Sequence, residues 1–225
     1  MAKPEDDTLV HAGLKTPKSA AVAGIVFSLL MFTIFGLLRR SIPADPLESG
    51  AWLATDTKTI ALALNLVPFA GVAFLWFIGV LRDRLGQQED RFFATVFFGS
   101  ALLFLAMLFA AAAVIGAVML LPSIAEPNEV MSSAIFRFAR ATAYILNNVY
   151  ATKMAAVFMI STSTVVIYTG IAPRWIAFVG YLLALVLLIG SYYIGWGFAV
   201  LPIWVFLMSV YILMDNLRRP QKLDA

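Results

Sequence analysis

Six apolar stretches, each about twenty residues or longer and each bounded by Arg or Lys, organise nearly all of this 225-residue chain. They fall at about 19–38, 59–81, 92–121, 146–171, 175–193 and 196–214. An α-helix rising about 1.5 Å per residue crosses a hydrocarbon core of about 30 Å with about 20 residues, so each stretch is long enough to span a bilayer. Hydrocarbon offers no partners to backbone N–H and C=O groups, which restricts spanning structures to helices and closed barrels. A barrel needs many alternating segments of about ten residues, whereas Leu102 to Leu121 is apolar all round. The chain therefore reads as an all-α integral membrane bundle of six transmembrane helices.

Composition agrees. Hydrophobic residues make up 62% and charged residues 13%, with a mean hydropathy of +0.90, too little polar surface for a soluble domain. One six-helix domain over 19–217 is expected, with short cytoplasmic tails at 1–18 and 218–225. The first span is too long for a signal-peptide core and ends in Arg39-Arg40 without a small-residue cleavage site, so it reads as a retained anchor. Residues 41–56 carry Pro43, Pro46 and Gly50 and read as an external loop capped by Trp52 at the interface.

Charge sets the orientation. Ten Lys and Arg residues, among them Arg82, Arg84, Arg91 and Arg174, fall on the side of both termini, and Arg39, Arg40, Lys58, Arg137 and Arg140 fall opposite. The bias places both termini in the cytoplasm, with the bacterial inner (plasma) membrane as the expected location. Arg39 and Arg40 are exceptions to it. Trp52, Trp175, Tyr192, Tyr193 and Trp196 lie near span ends, where amphipathic rings suit the headgroup zone. The basic residues are scattered at these ends rather than gathered on one face, which argues against a nucleic-acid partner.

Absences narrow the chemistry. Cysteine is missing and the single histidine, His11, lies in the N-terminal tail. Disulfides, thiolate nucleophiles, bis-His haem, di-iron and His-ligated zinc inside the bundle are thereby excluded. Aspartates and glutamates fall only in loops, tails or span ends, so no intramembrane carboxylate dyad or proton relay is available. No cofactor, no metal, no catalytic residue and no enzymatic activity are expected. The Ser161 to Thr164 cluster is expected to bond to its own helix or a neighbour.

Two spans carry the polar candidates. In the second, Asn65, Pro68 and Gly71 form an Asn-x-x-Pro-x-x-Gly run in which Pro removes a backbone donor. A helix interrupted there could expose carbonyls to a substrate or ion; the alternative is a kink with Asn65 bonded to a neighbouring helix. The fourth is entered through a polar run holding Arg137, Arg140, Tyr144, Asn147 and Asn148, with Lys153 beyond. One helix from Val130 to Ile171 would be about 60 Å long, roughly twice the hydrocarbon thickness. Its first part therefore reads as an amphipathic external helix, with Phe136 and Phe138 against lipid or protein and the arginines meeting phosphates or carboxylates. Lys153 either snorkels to the interface or joins Asn147 in a cavity for an anionic ligand. The expected ligand or transport pathway is Asn65, Pro68, Asn147, Asn148 and Lys153.

Small residues mark close helix contacts. Ala106, Ala110, Ala113 and Ala117 recur at helical spacing beside Gly116, and are expected to pack within the chain, a homodimer face being the alternative. Gly24 with Ser28, or Gly180 with Ala184, could serve either use.

The turn expected after the second span reads Gly79-Val80-Leu81-Arg82-Asp83-Arg84-Leu85-Gly86. It resembles the signature that major facilitator transporters carry between their second and third helices on the cytoplasmic side. The resemblance covers about eight residues; Gln87-Gln88 stands where that family has a basic pair, and six spans stand where it has twelve. It implies that Asp83 and Arg84 pair helix ends and gate alternating access. Topology and helix termination alone also produce such a turn. A small transporter or permease-like protein is the leading expectation. A non-catalytic subunit or stabiliser of a membrane complex is the alternative, and a lipid-modifying enzyme using Lys153, Asn147, Arg137 and Arg140 is the third. The expected partners are the lipid bilayer and either a second copy or another membrane protein.

Overall fold

A computed structural model describes residues 17–43, 56–85, 91–121, 133–170, 172–190 and 195–218, among which no strand occurs. His11, Trp52, Tyr192, Tyr193, Gly86 and most of both tails lie outside the described residues. The elements are α1 (Pro17–Ser41), α2 (Thr57–Leu85), α3 (Arg91–Leu120), α4 (Ala134–Ile145), a π-helical turn (Leu146–Ala151), α5 (Thr152–Thr169), α6 (Arg174–Gly190), a 3-10 turn (Gly197–Ala199) and α7 (Val200–Arg218). Because α4, the π turn and α5 form one unbroken rod, the described residues make six helices, as the six apolar stretches require. Five are long and apolar enough to cross a membrane. α6 has 17 residues, about 25 Å of helix and the lower limit for a span.

The helix ends follow local chemistry. Pro17 opens α1 and Pro202 lies in the first turn of α7, where a missing N–H costs no hydrogen bond. Ser133 caps α4, its hydroxyl accepting the Phe136 N–H at 3.1 Å. Gly170 ends α5 at φ 64°, its N–H donating to the Val166 carbonyl at 3.0 Å, a left-handed cap that glycine adopts without a Cβ clash.

α2 corrects the expected turn. Residues 79–85 are helical, so Asp83 and Arg84 belong to the last turn of α2 rather than to a gating loop. Falling hydropathy ends a span but not a helix, and no proline follows Pro68 to break it. Leu81 is still buried in the bundle, and the Arg82 guanidinium lies 5.6 Å from the Phe98 ring centre on α3. Pro68 itself sits on the outer face of α2 without ending it.

The helices pack as two facing trios. α1 lies between α2 and α7, and α5 lies between α3 and α6. Small residues let backbones approach: within the trios, a Cβ added to Gly24 on α1 would strike Ser209 Oγ on α7 and the Phe77 ring, and one added to Gly180 on α6 would strike Ser163 Oγ on α5 and, across the trios, the Trp204 indole of α7. Gly24, Ser28, Gly180 and Ala184 are thus spent inside the chain. Between the trios the space is filled by rings. Phe74 touches Phe27, Phe77, Phe104 and Phe158 at centroid distances of 4.6, 6.2, 5.4 and 5.2 Å, and all five are almost fully buried.

The outside is apolar too. Phe69, Trp76 and Ile189 are 65%, 69% and 73% exposed, a surface that belongs in lipid rather than water. Trp175 and Trp196 stand exposed at helix ends. The alanine stripe of α3 corrects a second expectation, because Ala106, Ala113 and Ala117 face outward, with Ala110 and Gly116 only half-buried. α3 instead turns its larger Phe97, Phe104, Leu105 and Leu108 to the core.

Replacing Gly24 or Gly180 with Val is expected to destabilise the bundle by about 1–3 kcal/mol through overpacking. Gly36→Ala and Gly99→Ala, where nothing lies within 4 Å of the added Cβ, should leave stability unchanged or raise it by up to about 1 kcal/mol. Thermal denaturation of the four variants in one detergent makes the comparison.

Candidate functional site

α4 is amphipathic, with Phe136, Arg140 and Ala143 buried and Ile135, Arg137 and Phe138 exposed. The buried face rests against the C-terminal half of α3, so that Phe136 packs with Ile60, Val118, Ile115 and Met119. Phe136 and Phe138, alike in chemistry, therefore take opposite roles, one in the protein and one outside it.

Arg140 is the unusual member of that face. It is 4% exposed; its Nη2 donates to the Pro43 carbonyl at 3.3 Å, and its guanidinium carbon lies 6.0 Å from the Phe136 ring centre. A planar five-donor head can tie the start of the rod to the chain leaving α1 while its aliphatic stem lies along apolar neighbours. The expected outward arginine is thus Arg137, and Arg140 points in.

One turn further the rod widens. Thr152 Oγ1 donates to the carbonyl of Asn147, five residues back, at 3.1 Å, and the flanking residues Ile145 and Thr152 keep right-handed helical backbone angles. A π turn inserts one residue into the helix and rotates the succeeding residues by about 100°. The polar residues Arg140, Tyr144 and Asn147 recur four and three residues apart on one face, and Asn148 joins them where the turn is widened.

That face closes one wall of a cleft of about 540 Å³. The other walls are apolar: Ile34, Phe35 and Leu38 of α1, Leu64 and Val67 of α2, Leu108, Ala112 and Ile115 of α3, and Phe198 before α7. Phe35 and Phe198 meet at 4.3 Å between ring centres. Room exists because Ala111, Ala112 and Ala143 present only a methyl group where the opposite half of the bundle has phenylalanines. Arg39 stands exposed at the lip. The cleft lies at the end where α1 and α3 finish and α2, α4 and α7 begin; the phenylalanine cluster seals the bundle below it.

Hydrogen bonding leaves several of these groups available. Asn148 Nδ2 donates to the Tyr144 carbonyl at 3.1 Å. The Tyr144 hydroxyl, the Asn147 carboxamide and the Arg39 guanidinium make no hydrogen bond or ion pair with any other described residue. No group of three His, Cys, Asp or Glu residues that could hold a metal ion occurs among the described residues.

Of the residues expected on a pathway, the structure brings only Asn147 and Asn148 to the cleft. Asn65 faces outward and its Nδ2 donates to the carbonyl of Ala61 in its own helix at 2.9 Å, so it makes no bridge to a neighbour. Pro68 shares that outer face. Lys153 is half-buried at the start of α5 and does not line the cleft. Asp83 and Arg84 lie at the opposite end of α2. Thr162 and Thr164 bond to carbonyls of their own helix at 2.8 and 2.9 Å, and Thr164 Oγ1 also meets the Tyr181 hydroxyl of α6 at 2.7 Å. The sequence carried two signals of the cleft that hydropathy reading missed, the spacing of Arg140, Tyr144 and Asn147 and the anomalous sidedness of Arg39.

Arg140→Met keeps the length of the side chain and removes its donors, leaving the half-buried Pro43 carbonyl without this bond. The expected loss of stability is about 1–3 kcal/mol. Asn65→Leu, which removes only a local bond on the lipid face, should change it by less than about 0.5 kcal/mol. Both values come from thermal or denaturant unfolding in the same detergent. Compared with known proteins, the chain matches no family model, no curated protein and no solved structure.

Proposed function

We propose that this multi-pass membrane protein is a small transporter of the bacterial inner membrane, with both termini in the cytoplasm and the cleft beside the π turn as its substrate site. The observation that carries the reading is a cavity of about 540 Å³ between helices, open at one end and stopped at the other by phenylalanines packed edge to face. Its volume is that of pockets enclosing a small organic ligand, about 300–1,000 Å³, and its lining has the expected apolar majority with a few convergent polar groups. π turns are often found at functional sites.

With the orientation argued from the Lys and Arg bias, the cleft faces the outside and the phenylalanine cluster faces the cytoplasm. Such an arrangement is one of the two states that alternating access requires. The resemblance of residues 79–86 to the facilitator signature supports the same reading, and gives Asp83 and Arg84 a gating role at the cytoplasmic end of α2. The described lining residues offer hydrogen bonds and positive charge, with no Ser-His pair, carboxylate or metal site among them, which favours binding over chemistry. A second reading, a non-catalytic subunit of a membrane complex or a homodimer, is favoured by the outward alanine stripe of α3.

The chain contains no cysteine, so an Ala112→Cys variant carries one thiol that reports on the cleft alone. A transporter labels at this position with a membrane-impermeant maleimide from both faces of oriented vesicles, faster from the outside. Phe74→Leu should raise labelling from the cytoplasmic face several-fold by loosening the ring cluster. Labelling from one face only, in both backgrounds, would contradict transport and favour the subunit reading.

A further inference from the structure

We infer that the cleft takes a single-chain amphiphile with an anionic head, a carboxylate or phosphate, whose tail lies among the apolar walls. The inference rests on the cleft being a binding site and adds what it binds.

Segregation of polarity is the first support. Polar lining is confined to the rod and the lip, through Arg39, Arg140, Tyr144, Asn147 and Asn148, while α2 and α3 contribute only apolar side chains. A ligand that fills the cleft must therefore have a polar end and an apolar body. A free small anion would leave most of the wall facing empty space, and a pure hydrocarbon would bury polar groups without partners.

Charge is the second. Among the described residues the lining includes Arg39 and Arg140 and neither an Asp nor a Glu. A guanidinium beside amide and phenol donors matches carboxylate or phosphate oxygens, which accept several charge-assisted hydrogen bonds, and opposes a cationic head. The donors with no partner among the described residues are those of Arg39, Tyr144 and the Asn147 carboxamide. Arg140 is already engaged with Pro43, so it shapes the wall while the other three supply the contacts.

Depth is the third. The helical part of the α1 wall runs from Ile34 to the helix end at Ser41, about 10 Å of helix, about a third of a hydrocarbon core of about 30 Å. One tail of medium length fits such a depth.

The test uses Ala112→Cys protein in phosphatidylcholine nanodiscs, with dodecyl phosphate as the probe and protection of the introduced thiol from maleimide as the readout. Leu103→Cys, on the outer face of α3, is the control for general partition into lipid. Dodecyl phosphate should protect the thiol of the Ala112→Cys variant and not that of the control, whereas dodecyltrimethylammonium should need at least about tenfold higher concentration, a difference of about 1.4 kcal/mol. Arg39→Gln and Asn147→Leu should each raise the half-protecting concentration of dodecyl phosphate several-fold. Native mass spectrometry of dodecyl phosphate adducts provides the same comparison if the thiol reacts too slowly.

Equal protection by the cationic amphiphile, or none lost in Arg39→Gln, would overturn the anionic head. Protection by inorganic phosphate alone at the same concentration would overturn the amphiphile in favour of a free anion. Absence of protection by every probe, with the Ala112→Cys variant still labelled from both faces, would overturn the ligand class while leaving transport standing.

Discussion

Helices inside hydrocarbon gain little by hiding apolar surface from one another, because lipid tails are as apolar as Leu, and closeness of contact has to supply the attraction. The shape of this bundle is set by where backbones can touch. Gly24 admits Ser209, and Gly180 admits Ser163 and Trp204. These seams draw α1 to α7 and α5 to α6, and set the spacing that the rings between the trios must fill. Phe74 and its neighbours fill it at one end, where their many dispersion contacts replace any hydrophobic drive. At the other end the facing residues are Ala111, Ala112 and Ala143, and the same spacing leaves a cleft.

The cleft is polar on one side for a reason of length. α4, the π turn and α5 together exceed the hydrocarbon thickness, so the first turns of the rod are free to carry Arg140, Tyr144, Asn147 and Asn148. An arginine there would ordinarily turn to the interface, as Arg137 does. Arg140 instead holds the Pro43 carbonyl beside the Phe136 ring, which fixes the rod against the end of α1. The π turn comes next and brings consecutive asparagines to the cavity, so that structure and site depend on the same two turns of helix.

Much of this architecture was legible from residue chemistry. The six helices, the amphipathic segment before Asn147 and the self-bonding of Thr162 and Thr164 all follow from length, periodicity and donor bookkeeping. The inward and outward faces did not, for a physical reason: in a soluble helix the outer face is polar, whereas here Ala106 and Ala113 toward lipid are no more apolar than Leu105 and Leu108 toward the core. Asn65 misled for a related reason, since a carboxamide can meet its hydrogen-bonding need at the carbonyl of Ala61 in its own helix and need not seek a neighbour. The π turn has no composition of its own, and the end of α2 lies beyond the point where hydropathy falls. A cavity is a gap between elements, and only their assembly reveals it.

The most direct measurement is native mass spectrometry of the protein released gently from its own membrane, beside an Ala112→Phe variant in which the ring occupies the cleft. A substrate-binding cleft requires a non-covalent adduct of small mass on the wild-type chain, absent from the filled variant, with both otherwise folded. The same adducts on both proteins would place any retained molecule elsewhere, and would contradict the cleft as the site on which the protein's function depends.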